Sequence, residues 1–155
     1  MRKGKIDVDI REFTEKDLPK LALLEKSCFL DAWTMEMLKS EVVRDGFCCL
    51  LAEVDGEAAG FVYGNVLFED AELYKVAVLP DFRAKGIGRG LMNAFSGLVK
   101  DKGARQIFLE VRLSNQAALA LYLGQGFEKT RLRKRYYADG EDCLEMRKSL
   151  YPDEE

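Results

Sequence analysis

There is no histidine in this chain of 155 residues. That removes imidazole as a general base, as a metal ligand and as the middle member of a Ser-His-Asp or Cys-His triad. Any proton transfer therefore falls to carboxylates, tyrosine, lysine, cysteine or water. Cysteine is sparse as well: Cys28, Cys48, Cys49 and Cys143 have no C-x-x-C spacing, which argues against zinc or any other metal centre. With 3 prolines, 13 glycines, 48% hydrophobic and 33% charged residues, the composition is neither collagen-like, disulfide-dense nor disordered. Long apolar runs are missing too. The longest uncharged stretch, Leu113 to Phe127, is 15 residues and includes Ser114, Asn115, Gln116 and Gln125, too short and too polar to span a bilayer. Arg2, Lys3 and Lys5 precede Asp7 and Asp9 where a signal peptide needs an apolar core. The expectation is a cytoplasmic protein with no membrane partner, its length suiting a single domain over 1–155.

What is present is unevenly distributed charge. The net charge of −3 speaks against a general nucleic-acid binder. Residues 1–79 carry −6, residues 80–112 carry +4 and residues 113–155 carry −1. A basic block inside an acidic chain suits one anionic ligand better than a polyanion, although a solvated face would account for it equally well. The basic and aromatic stretch Arg131, Arg133, Lys134, Arg135, Tyr136 and Tyr137 resembles an RNA contact in composition, but alternation along an edge strand explains it more simply. No direct nucleic-acid partner is expected.

Patterning gives the elements. Ile6, Val8 and Ile10 alternate with acidic and basic residues, the period of a half-buried strand. Thr14 and Asp17 form an approximate capping box before Leu18, Leu21, Leu24 and Cys28 at helical spacing. A second helix starts near Thr34 and stops at Gly46. Strands at 47–54 and 58–68 flank the hairpin dipeptide Asp55-Gly56, and 73–79 is a third strand, closed by Pro80. Leu91, Phe95, Leu98 and Val99 mark a helix over 88–102, followed by a buried strand at 107–111 in which the carboxylate of Glu110 is costly unless it is partnered or working. A short helix capped by Ser114 or Asn115 runs through Leu123, and strands around 127–137 and 143–147 enclose Asp139-Gly140. The order predicts an α+β fold with a mixed sheet, in which 73–79, 88–102 and 107–111 form a parallel β-α-β crossover.

The strand-to-helix junction of that crossover reads Pro80-Asp81-Phe82-Arg83-Ala84-Lys85-Gly86-Ile87-Gly88-Arg89-Gly90. A glycine-rich turn at a helix N-terminus presents unpaired N–H groups and the positive dipole end together, which is an anion site. Arg83, Lys85 and Arg89 add charge, so a phosphate-bearing ligand is expected. The spacing lacks the G-x-x-x-x-G-K of a P-loop, and Leu91 occupies the third-glycine position of a dinucleotide fingerprint.

These residues also resemble a known family. Val76-Ala77-Val78-Leu79-Pro80 followed by Arg83-Ala84-Lys85-Gly86-Ile87-Gly88 looks like the acyl-CoA signature of the GNAT superfamily of N-acetyltransferases, whose loop reads Gln/Arg-x-x-Gly-x-Gly/Ala. Leu109-Glu110-Val111-Arg112-Leu113-Ser114-Asn115, Ala120-Leu121-Tyr122, Gly126-Phe127 and the tail from Arg133 to Asp142 resemble its RimI branch, which acetylates protein N-termini. The resemblance spans 6–150. It implies acetyl-CoA as co-substrate with no metal, and a V-shaped gap between the strands at 76–78 and 107–111. Val76, Ala77 and Val78 with Asn115 would hold pantetheine in that gap, and the amides and charges of Arg83, Ala84, Lys85, Gly86, Ile87, Gly88 and Arg89 would hold the diphosphate. Glu110 would act as general base and Tyr122 would protonate the leaving thiolate; without the resemblance the first could be a salt-bridge residue and the second a core aromatic. Trp33 and Tyr137 would wall the acceptor channel and the acidic Glu72 would draw in a cationic amine. Where many RimI-like chains have Pro-Trp, this one has Ala32-Trp33. The implied acceptor is a protein N-terminus, plausibly that of a small-subunit ribosomal protein; a small-molecule amine, or acyl-CoA binding without catalysis, are the alternatives.

Overall fold

The computed structural model describes residues 7–29 and 31–154. Eleven of its elements build the architecture: strands β1 (Val8–Glu12), β2 (Phe47–Val54), β3 (Glu57–Leu67), β4 (Asp70–Val78), β5 (Gln106–Arg112), β6 (Glu128–Arg133) and β7 (Cys143–Ser149), with helices α1 (Leu18–Cys28), α2 (Met35–Val42), α3 (Ile87–Asp101) and α4 (Gln116–Gly124). The strands form one sheet in the order β1-β2-β3-β4-β5-β7-β6. All neighbours are antiparallel except β4 and β5. This is the mixed sheet with a parallel crossover expected from the element order. Ile6 lies outside the described residues.

Local chemistry sets the elements. Thr14 and Asp17 close the capping box, Asp17 Oδ2 accepting from the Thr14 amide at 2.9 Å and from its hydroxyl at 3.1 Å. Thr34 caps α2 by accepting from Met37 N at 3.2 Å. Asp55 and Gly56 both take positive φ, 52° and 79°, the backbone twist that a two-residue hairpin requires. Alternation along the central strands then buries both faces of the sheet. Cys48, Leu50 and Ala52 of β2 meet Leu91, Met92, Phe95 and Val99 of α3 in one cluster, whereas Cys49 and Leu51 with Phe61 and Tyr63 meet Leu21 and Leu24 of α1 and Leu38 of α2 in the other. Helices therefore cover both faces.

Two of the boundaries that differ from expectation bear on the site. β4 begins at Asp70 instead of residue 73, so Asp70 and Glu72 belong to the strand and not to a loop before it; Gln106 Nε2 ties Asp70 to β5 at 2.6 Å. β6 ends at Arg133 instead of reaching Tyr137. Arg135 adopts φ 53° and its amide turns to Asp142 Oδ1 at 2.9 Å, which ends the ladder and sends 134–142 across the sheet as an irregular segment.

Candidate active site

The sheet splits down its middle. β4 and β5 pair over three positions, Asp70 with Gln106, Ala71 with Ile107 and Glu72 with Phe108, and no further. Beyond that point β4 stays with β3 up to Val78, and β5 stays with β7 up to Arg112. A register shift in the β3–β4 ladder between Tyr63 and Gly64 accompanies the separation; such a bulge bends the strand that carries it. Gly64 is required there: a Cβ on it would lie 2.0 Å from Glu72 O. The result is a cleft of about 800 Å³ between the separated strands, lined among others by Glu72, Tyr74, Lys75 and Val76 from β4, Glu110 and Arg112 from β5, and Asn115 and Tyr122.

The edge of β4 facing this cleft carries main-chain groups that the β3 ladder does not use. Leu79 N donates to Ala59 O at 2.8 Å, and in an antiparallel ladder alternate residues face alternate sides. Ala77 therefore turns its main chain to β3, while Val76 and Val78 turn theirs to the gap. Of the three sequence candidates only Val76 is among the residues that line the cleft; Ala77 packs with Leu79 against the cluster beneath α1 and α2, and Val78 packs on the α3 side. Arg83 also behaves differently from a free phosphate ligand, since its Nε donates to Val78 O at 2.9 Å.

Past the open end of the cleft the chain enters α3 through two left-handed residues, Ala84 at φ 62° and Gly86 at φ 80°. Gly86 is the residue before the first helical turn, and a Cβ there would meet nothing within 4 Å; its glycine is needed for conformation, not for space. The amides of Ile87, Gly88 and Arg89 are the first of the helix and have no acceptor within it. Lys85 and Arg89 are exposed beside them, and Ile87 anchors the turn in the core.

Glu110 stands on the other wall. The sequence places it in a strand that reads as buried throughout, where a carboxylate is costly; the structure corrects this. β5 buries Ile107, Leu109 and Val111 on the α3 side, while Phe108 and Glu110 point to the open face, the Glu110 side chain being 34% exposed. Tyr136 Oη donates to Glu110 Oε1 at 3.3 Å, and Glu110 Oε2 lies 3.9 Å from both Cys143 Sγ and Arg133 Nε. Arg112 is not its partner. That guanidinium bonds Asp139 at 2.8 Å and Glu141 at 3.1 Å and stacks 4.0 Å above Tyr137, holding the 134–142 segment against the cleft. Glu72 faces Glu110 across the gap, and its carboxyl is raised by loss of water and then by the Glu110 charge. Tyr122 is buried against Phe127, and burial pushes its phenol up to about 12, so it keeps its proton at neutral pH. All four thiols are free and raised by burial, which disqualifies them as nucleophiles.

Comparison with known proteins decides the family. Residues 18–127 match the model described as the acetyltransferase (GNAT) family. The chain belongs to the GNAT family. A Bacillus subtilis relative is 33% identical over 139 residues, 88% of this chain and 92% of its own. The ribosomal protein bS18-alanine N-acetyltransferase of Escherichia coli K12 is 32% identical over 133 residues, 84% and 89% of the two chains. The crystal structure of the E. coli ribosomal-protein-S18-alanine N-acetyltransferase superposes with a TM-score of 0.85 at 29% identity, covering 93% of this chain and 94% of that one. As a GNAT protein the chain is an N-acetyltransferase.

Trp33, Glu72 and Tyr137 all line the cleft, as do Val76, Asn115, Glu110 and Tyr122. Among the lining residues that the sequence does not mark as site residues are Tyr136, Tyr74 and Lys75. Tyr136 gives a signal as half of a Tyr-Tyr pair, but only folding brings it to Glu110, 26 positions earlier.

Proposed function

We propose that this GNAT protein transfers acetyl from acetyl-CoA to the N-terminal α-amine of a protein. The observation that carries the reading is the split between β4 and β5, with Glu110 and Tyr122 both on its lining. The outward main-chain groups of Val76 and Val78 suit the pantetheine amides as an added strand would; Arg83 must release Val78 O for that carbonyl to take part. Asn115 spends Oδ1 on Ala118 N at 3.1 Å, so its amide nitrogen is the group available to pantetheine. The α3 amides with Lys85 and Arg89 suit the diphosphate.

The amine must attack in its neutral form. Glu110, directly or through a water, accepts the proton that nitrogen loses as the C–N bond forms, and the tetrahedral oxyanion collapses with C–S cleavage. The Tyr122 hydroxyl gives its proton to the departing thiolate. No covalent enzyme intermediate is needed, because holding amine and thioester in line removes much of the entropic barrier. An α-amine, with a reference pKa near 7.7–8.0, is roughly 10–15% neutral at pH 7, whereas lysine at 10.4 is under about 0.1% neutral, so a single carboxylate suffices for the former.

Room for a polypeptide supports a protein acceptor over a small amine. A second groove of about 590 Å³ adjoins the cleft, sharing Glu72, Tyr74, Glu110 and Tyr136 with it and continuing past Leu67 and Phe68. The similarity to bS18-alanine N-acetyltransferases supports a small-subunit ribosomal protein as the acceptor class. A panel of Ala-initiated peptides, the same peptides N-acetylated with an internal lysine, and free polyamines tests this by thiol release from acetyl-CoA. Turnover confined to free N-termini is expected; turnover confined to polyamines would overturn the reading.

A further inference from the structure

α1 places Leu18, Leu21, Glu25 and Cys28 along one stripe, so a carboxylate interrupts its core-facing side. Glu25 is 0% exposed. Tyr63 Oη from β3 donates to its Oε2 at 2.6 Å, Trp33 N from the α1–α2 connection donates to Oε1 at 3.0 Å, and Lys75 Nζ from β4 donates to the same oxygen. A buried ion pair is a poor source of stability, since apolar residues of similar volume often serve as well. Its arrangement points elsewhere. The three donors come from three different elements, and two of those elements wall the cleft.

Lys75 also lies over the Phe29 ring at 4.3 Å and the Trp33 ring at 5.6 Å, and the Trp33 ring meets Tyr63 at 5.4 Å and Tyr74 at 5.7 Å. Phe29, Trp33, Tyr74 and Lys75 face the cleft; Glu25 lies behind them. No proline precedes Trp33 to stiffen the connection, Ala32 standing there. Among the described residues 31–33, the main-chain tie to the rest of the fold is the bond from Trp33 N to Glu25.

We infer that Glu25 is a positioning residue for the acceptor: by binding Trp33 N and the Lys75 ammonium with one carboxylate, it sets the Trp33 wall of the cleft against strand β4. The inference rests on the acceptor reading above only for which substrate feels the displacement. Trp33 is the sole tryptophan, so its fluorescence reports the position of this wall without any substrate.

The test is Glu25→Gln, which keeps the volume and removes the charge. The expected result is a red-shifted Trp33 emission with stronger acrylamide quenching, an acceptor KM raised about tenfold, as for loss of a hydrogen bond to a charged group, and an unchanged acetyl-CoA dissociation constant. A folded variant with wild-type emission and quenching, or one in which acceptor and acetyl-CoA binding weaken equally, would overturn it. Should Glu25→Gln fail to fold by far-ultraviolet circular dichroism, Lys75→Gln keeps a donor and removes the ion pair. The same shifts in emission, quenching and acceptor KM are expected of it, and their absence in the folded variant would overturn the inference equally. A wild-type enzyme that acetylates no peptide would instead sink the acceptor reading, while the fluorescence and acetyl-CoA measurements would still decide the role of Glu25.

Discussion

On the proposed function, the donor and acceptor sides of the cleft are built by different means. The donor side, β4 into α3, is main-chain architecture: outward groups on Val76 and Val78, left-handed residues at Ala84 and Gly86, and the free amides that follow. The acceptor side is a set of long-range side-chain contacts: Glu25 with Lys75 across 50 positions, Arg112 with Glu141 across 29, and Tyr136 with Glu110 across 26. The first kind of site constrains glycine placement and so writes itself into a short motif. The second leaves each residue free to look like an ordinary core or surface residue until the chain has folded.

Substitutions on the two sides should therefore separate donor from acceptor kinetics. The largest effect is expected for Glu110→Gln, which lowers kcat by about 10² to 10⁴ while isothermal titration finds acetyl-CoA affinity unchanged. Equal loss of both would mean that the carboxylate supports the cleft and not the chemistry. Tyr122→Phe comes next, with kcat down by about 10²; because burial already holds the phenol near 12, the wild-type rate should not fall on the alkaline side until the pH approaches that value. Gly86→Ala puts a Cβ at φ 80°, which costs about 1 kcal/mol, and should weaken acetyl-CoA binding about fivefold with acceptor KM unchanged.

The smallest kinetic effect is expected away from both sides. Asp17, at the start of α1, accepts from Arg11 at 2.8 and 2.9 Å and from Thr14. The Arg11 guanidinium and then the Thr14 amide hold its carboxyl well below the ordinary range. A depressed carboxyl pKa adds stability above its unfolded value, about 3.9, and that stability is lost as the pH falls through and below it. Asp17→Asn should thus lower stability by about 1 kcal/mol at pH 7, discounted because Arg11 is part exposed. The gap to wild type in thermal melts should shrink below about pH 4, with kcat and both KM values unaltered.

Sequence patterning recovers the local devices, the Asp55-Gly56 hairpin, the Thr14–Asp17 capping box and the glycine turn before α3, since each acts within a few residues. It misses where β6 ends, because Arg135 turns to Asp142 only once the two meet in space. It also misjudges Glu110, reading a fully buried strand where one face lies open: the hydrophobicity of Phe108 does not disclose that its face of β5 is left part exposed. Glu25 does leave a trace, an acid on an otherwise apolar helical stripe, but its meaning depends on Tyr63 and Lys75, which no local pattern connects to it.

A crystal structure of the protein with acetyl-CoA and an Ala-initiated peptide examines the split sheet most directly. The expected result is pantetheine running between Val76 and Asn115, the diphosphate on the amides of 84–89, and the peptide amine within reach of Glu110, directly or through one water. Strands β4 and β5 paired to their ends, or acetyl-CoA bound elsewhere with Glu110 turned from the amine, would contradict it.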